Sequence, residues 1–180
     1  MTTEAPVLRI GEPADSLTIS ALATQVYLDT YASDGIRADI AREVFTVCPE
    51  QAFAERLSAA DRRFVLAERG SHLLGFVEFS TGSSCPPGDT RHGIEVIRLY
   101  VQPAMQGQRL GAGLLRRAES DCLAAGGNFV WLTAWAGNQR ALRFYEAQGF
   151  RDIGATTWVF EDKSCENRVL VKPLVGSGTV

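Results

Sequence analysis

The sequence predicts an α/β fold: a mixed, mostly antiparallel sheet with one central parallel pair of strands, flanked by helices. Three observations predict it. Two β-type runs, Arg63–Glu68 and Leu73–Thr81, are joined by the short turn Arg69-Gly70-Ser71-His72, which makes an antiparallel hairpin. From Ile94 onward the pattern becomes strand, helix, strand, helix, the order that sets two strands side by side in parallel. A chain of 180 residues, 46% hydrophobic and 22% charged, is also long and apolar enough for one substantial core. Residues 1–175 therefore read as one domain, and 176–180 as a loose tail.

The elements follow in order. Val7–Ile10 is a short strand, and Asp15 or Ser16 caps a helix carrying Leu17, Ala21, Leu22 and Val26 on one side. Asp29-Thr30-Tyr31 leads into the turn Ser33-Asp34-Gly35. Ile36–Cys48 and Pro49–Ala59 are two short helices, the second with proline in its first turn. Beyond the hairpin, Gly82–Gly93 is a loop holding Pro86-Pro87-Gly88-Asp89. Then come strand Ile94–Val101, amphipathic helix Leu110–Ala125, strand Phe129–Trp135 and helix Asn138–Gln148. Two last strands, Phe150–Phe160 and Arg168–Leu174, flank the turn at Glu161-Asp162-Lys163-Ser164.

Composition excludes several classes. The net charge of −3 is spread without blocks, so there is no electrostatic footprint for nucleic acid. No apolar run approaches the roughly 18 residues of a membrane span, and the N-terminus lacks a basic segment followed by an apolar one. Cys48, Cys85, Cys122 and Cys165 have no C-x-x-C spacing and no histidine at ligand distance in sequence, so no metal site is expected and they read as core thiols in a reducing cytoplasm.

The run Val101-Gln102-Pro103-Ala104-Met105-Gln106-Gly107-Gln108-Arg109-Leu110-Gly111-Ala112-Gly113 sets a glycine-rich loop between a strand and a helix. Free N–H groups at a helix N-terminus converge on phosphate, and the helix dipole favours its charge. An ordinary turn uses the same glycines. The loop is neither a P-loop nor a dinucleotide fingerprint, because it has no Gly-Lys-Ser/Thr and no G-x-G-x-x-G after its strand. A second segment, Asn138-Gln139-Arg140-Ala141-Leu142-Arg143-Phe144-Tyr145-Glu146-Ala147-Gln148-Gly149-Phe150, has plain structural readings: Asn138 as helix cap, Phe144 and Phe150 as packing, and Gly149 as the left-handed residue ending the helix.

Together the two segments resemble the GNAT superfamily of N-acetyltransferases. Gln106-Gly107-Gln108-Arg109-Leu110-Gly111 is similar to its Q/R-x-x-G-x-G/A loop, with Arg109 where that loop usually has its first glycine; the second segment matches N-x-x-A-x-x-F-Y-x-x-x-G-F at every fixed position. The resemblance covers roughly Arg63 to Leu174. It implies acetyl-CoA as co-substrate, wedged where the two parallel strands splay, with Leu99 and Val101 on the pantetheine amides. It also implies pyrophosphate on the loop Gln106, Gly107, Gln108, Arg109, Leu110, Gly111 and Ala112, Asn138 near the pantetheine arm, and Tyr145 near the thioester sulfur. No metal is implied. Tyr27-x-Asp29-Thr30-Tyr31 and Trp131-Leu132-x-x-Trp135-x-x-Asn138 narrow the similarity toward bacterial spermine/spermidine N-acetyltransferases.

An amine acceptor is mostly protonated near neutral pH and must lose a proton before it attacks a thioester. Glu95, six residues before Val101, is the first candidate base, at the position that the histone-acetylating branch of the family uses. Glu78 and Asp29 are candidate acceptor contacts, Asp34 lies in the same helix-to-helix region as Asp29, and His92 reads first as a loop residue. Tyr145 is the candidate proton donor to the leaving thiolate. The expected function is acetylation of a small polyamine-like amine, with a homodimer left open as the assembly. The alternatives are a protein N-terminal or lysine acetyltransferase, a non-catalytic acetyl-CoA-binding module, and last a nucleotide-binding protein.

Overall fold

The computed structural model describes residues 4–86, 93–160 and 163–174, with Phe160 and Lys163 as backbone only. His92, most of the proline turn after Pro86, Glu161, Asp162 and the tail 176–180 lie outside the described residues. The strands are β1 (Val7–Ile10), β2 (Arg62–Arg69), β3 (His72–Ser80), β4 (Gly93–Val101), β5 (Phe129–Trp135), β6 (Arg151–Phe160) and β7 (Lys163–Pro173). The helices are α1 (Ser16–Tyr31), α2 (Ala38–Val47), α3 (Glu50–Ser58), α4 (Leu110–Ala124) and α5 (Gln139–Ala147), and short 3-10 turns occupy Pro13–Asp15 and Pro103–Met105. One seven-stranded sheet has the order β1-β2-β3-β4-β5-β7-β6, in which β4 and β5 run parallel and β1-β2, β5-β7 and β6-β7 antiparallel. This is the α/β architecture expected from the sequence. No helix among the described residues is long and apolar enough to cross a membrane.

The chain divides into two compact units, Met1–Glu78 with Arg98–Arg116, and Phe79–Ile97 with Arg117–Val180. In the first, α1 buries Ile19, Leu22, Ala23 and Val26, the i, i+3, i+4, i+7 spacing of one helical face. They join Val44, Cys48, Phe53, Phe64, Leu66 and Phe76 in a common core. Leu17 and Ala21, expected on that face, are exposed, Leu17 by 61%. Ile19 and Ala23 take their places on the face that meets the core, and Leu17 and Ala21 fall off it. Asp15 does not cap α1 with its side chain either. Its carboxylate is taken by Arg9 at 2.7 and 2.8 Å and by the Glu12 N–H at 2.8 Å. Arg9 also reaches Glu68 at 2.7 Å, so one guanidinium ties β1 to β2 and to the turn before α1. Pro49 stands just before α3 rather than inside it.

In the second unit, Phe129 and Trp131 of β5 and Val169 and Val171 of β7 bury one face together with Cys85. Strand β7 starts at Lys163, five residues before the expected Arg168, and pairs with β6 as far as Phe160↔Lys163. The polar run Ser164-Cys165-Glu166-Asn167 hides a strand whose pairing, not its composition, holds it extended.

Candidate active site

The residues singled out by sequence fall in both units, and each group is described within its own. In the first unit, β4 ends at Val101 and the Gln102 N–H donates to Leu74 O at 2.9 Å, which keeps the loop on the end of β3. Gly75 lets the two backbones come this close, because a Cβ there would stand 2.7 Å from Tyr100 O. The chain then makes the turn Pro103–Met105, closed by the Met105 N–H on Gln102 O at 2.8 Å, and reaches Gly107 with a φ of +78°.

Arg109 follows with a φ of +60°, the one non-glycine left-handed residue among those described. This is the position where the family pattern usually has glycine. A left-handed conformation costs an L-residue roughly 1–2 kcal/mol, so the arginine holds a backbone shape that glycine takes freely. Helical bonding begins at once: the Gly113 N–H donates to Arg109 O at 3.0 Å. The N–H groups of Leu110, Gly111 and Ala112 therefore lie in the first turn of α4, ahead of any acceptor the helix provides. Gln106 to Arg109 are exposed, as an anion-binding loop requires.

Glu78 stands elsewhere in this unit, with none of its surface exposed. Arg98 Nη1 donates to its Oε2 at 2.5 Å, and Arg62 Nη1 lies 3.6 Å from Oε1. Neither partner is marked locally in the sequence, since β-strand arginines are ordinarily solvated. Arg98 also lies 5.7 Å from the Phe53 ring centre, and the facing carboxylate and Tyr100 hold its pKa above the usual arginine value despite burial. Asp29 and Asp34 are exposed near the end of α1. Nearby, the Tyr27 and Tyr31 rings meet at a 45° tilt with centres 4.6 Å apart, and burial pushes the Tyr27 phenol up.

In the second unit the parallel register pairs Gly93↔Phe129, Ile94↔Val130 and Glu95↔Trp131. It ends there, although Val96 and Ile97 continue as strand, as do Leu132 and Thr133. Backbone groups of these residues are thus not spent on each other, and half-buried Glu95 stands at the last paired position beside Trp131.

Helix α5 begins at Asn138, whose Oδ1 accepts from the Ala141 N–H at 3.1 Å, so Asn138 does serve as a cap. Tyr145 is 8% exposed, edge-on to Phe144 at 5.2 Å and to Phe150 at 5.5 Å. Gly149, with a φ of +89°, ends the helix, and the Phe150 N–H closes on Tyr145 O at 3.0 Å. The two phenylalanines and the helix end therefore fix the Tyr145 ring. Among the described residues, no three His, Cys, Asp or Glu side chains gather as a metal-binding group.

The model of the acetyltransferase (GNAT) family matches residues 30–150 of the chain. The chain is 32% identical over 106 residues to the N-alpha-acetyltransferase RimI of Mycobacterium tuberculosis, covering 59% of this chain and 63% of that one. Among solved structures it is similar to the PaiA N-acetyltransferase of Thermoplasma acidophilum in complex with coenzyme A, with a TM-score of 0.77 at 21% identity over 94% of this chain and 99% of that one. It is also similar in fold to the spermidine/spermine N-acetyltransferase SpeG of Vibrio cholerae, with a TM-score of 0.66 at 17% identity over 93% of each chain.

Proposed function

The chain belongs to the acetyltransferase (GNAT) family and is an acetyl-CoA-dependent N-acetyltransferase; from that premise we propose that its acceptor is the primary amine of a small molecule. The observation that carries the reading is the parallel register that stops at Glu95 and Trp131. Acetyl-CoA supplies an acetyl thioester. The first-turn N–H groups of α4 and the left-handed Arg109 amide hold its pyrophosphate, and Arg109 can turn its guanidinium to a phosphate oxygen. Leu99 and Val101 offer backbone partners to the pantetheine amides. Asn138 spends its Oδ1 on the helix cap and keeps its amide nitrogen for the same arm. Glu95 takes the proton that the ammonium of the acceptor must lose, directly or through water, and Tyr145 delivers a proton to the departing thiolate. The ring packing of Tyr145 supports that role because it holds the phenol in one place.

The polyamine version of the acceptor rests on the likeness to SpeG, on Glu95 and on exposed Asp29 and Asp34. Glu78 is not carried forward as an acceptor contact, since its charge is already answered by Arg98 inside the fold. The likeness to RimI favours a second reading, acetylation of a protein N-terminus. Coenzyme A release measured side by side with spermidine, amino acids, aminoglycosides and short peptides separates the two. Turnover concentrated on small amines supports the proposal, and peptide turnover far above them overturns it.

A further inference from the structure

The first unit contains a cavity of about 700 Å³ that, Gln108 of the loop before α4 apart, none of the residues assigned to catalysis or to acetyl-CoA lines. It lies between α1, the β2–β3 hairpin and the near side of the loop after β4, and its volume is within the range of small-molecule pockets. Its walls are mainly apolar, built by Ala21, Leu22, Leu73 and Met105. Arg69 and His72 supply its ionisable groups, and no carboxylate lines it among the described residues.

Arg69 is the informative residue. Its Nε is buried with no hydrogen-bond partner, and its Nη2 holds Gln108 Oε1 only at 3.4 Å, the long edge of hydrogen-bond range. A half-buried guanidinium normally spends its donors on a carboxylate or on carbonyls, because an unmet buried donor is costly. Here Arg69 lines a cavity with no acid in it among the described residues. A planar guanidinium fork matches a carboxylate better than it matches any neutral group, and the apolar walls ask for a hydrocarbon body behind that carboxylate.

We propose that this cavity is a second ligand site, taking a small organic carboxylate through Arg69 with its apolar part against Leu22, Leu73 and Met105. Because Gln108 belongs both to the Arg69 contact and to the loop before α4, an occupant there also touches the loop. Gln108 apart, the site shares no residue with the acetyl transfer reading, and it is tested without turnover.

The test is a titration of the full chain with benzoate, benzamide and inorganic phosphate, followed by the amide NMR shifts of residues 69–73. The expected result is a saturable benzoate shift with a dissociation constant of about 1 mM or tighter. Benzamide, phosphate and the Arg69→Gln variant should each bind at least about tenfold more weakly, since each lacks half of the recognition. Should Arg69→Gln fail to fold, Ala21→Trp fills the cavity from the exposed helix side and should abolish the same shifts. Unchanged benzoate binding in the folded variant, or benzamide or phosphate binding as tightly as benzoate, would overturn the proposal.

Discussion

Arg109 shows how a single side chain can stand against its own backbone. Its φ of +60° is a shape that glycine, the usual residue of the family pattern at this position, takes without strain. Arg109→Gly should therefore leave stability unchanged or raise it by up to about 1 kcal/mol, while Arg109→Val lowers it by at least that much, read as urea midpoints. If the guanidinium meets a phosphate, the glycine variant also binds acetyl-CoA more weakly and with a shallower salt dependence. Tyr145 makes a different test. Tyr145→Phe keeps both ring contacts and removes one proton, so kcat should fall about ten- to a thousandfold with acetyl-CoA affinity held within a few-fold. An unchanged kcat, where chemistry limits the rate, would leave Tyr145 as packing alone. Glu78 was legible as an acidic strand residue but not as a buried one, because its partners Arg62 and Arg98 are distant in sequence and nothing local marks the pairing. Glu78→Gln strands a buried arginine and should cost about 3 kcal/mol of stability, rather than act only on the KM for an acceptor.

Among the elements, helix α5 is where a structural and a functional reading can be separated. Asn138→Ala should cost about 1 kcal/mol through the lost cap on Ala141, whereas Asn138→Ser restores an oxygen at the cap and should recover most of it. A serine variant that recovers stability but not kcat/KM for acetyl-CoA assigns the amide nitrogen to the cofactor arm; full recovery of both leaves Asn138 as a cap only. The boundaries of α5 and β5 were readable because their apolar spacing is clean and their ends carry Asn138 and Gly149. The buried face of α1 and the start of β7 are not written in local composition, because one depends on which residues meet the core of the first unit and the other on cross-strand pairing with β6.

The clamp on β1 was equally invisible, since Arg9, Asp15 and Glu68 meet only in the folded chain. Hydrogen bonding to Arg9 holds the Asp15 carboxyl below its usual range. A depressed carboxylate pKa stabilises the fold above the ordinary value and loses that contribution as pH falls through the folded one. The urea-midpoint gap between wild type and Asp15→Asn should be present near about pH 7 and close below about pH 4, and it should stay under about 1 kcal/mol because Arg9 is partly exposed.

At the scale of the molecule, the strand-helix alternation after Ile94 was enough to foresee the parallel β4–β5 pair, and the two motifs were enough to foresee the family. What the sequence did not disclose is where the parallel register ends, because the last paired position depends on how β4 and β5 diverge rather than on any residue type. That ending, at Glu95 and Trp131, is the feature on which the account of acetyl transfer stands. The most direct test is a single coenzyme A release assay in which wild type and Glu95→Gln are run with acetyl-CoA and a panel of small amines and peptides, with the acetylated product identified by mass. The account predicts amine-dependent release by wild type, greatest on a small primary amine, and a kcat lowered in Glu95→Gln with acetyl-CoA binding retained. Tight acetyl-CoA binding with no acetylated product from any amine, or release on peptides alone, would contradict it.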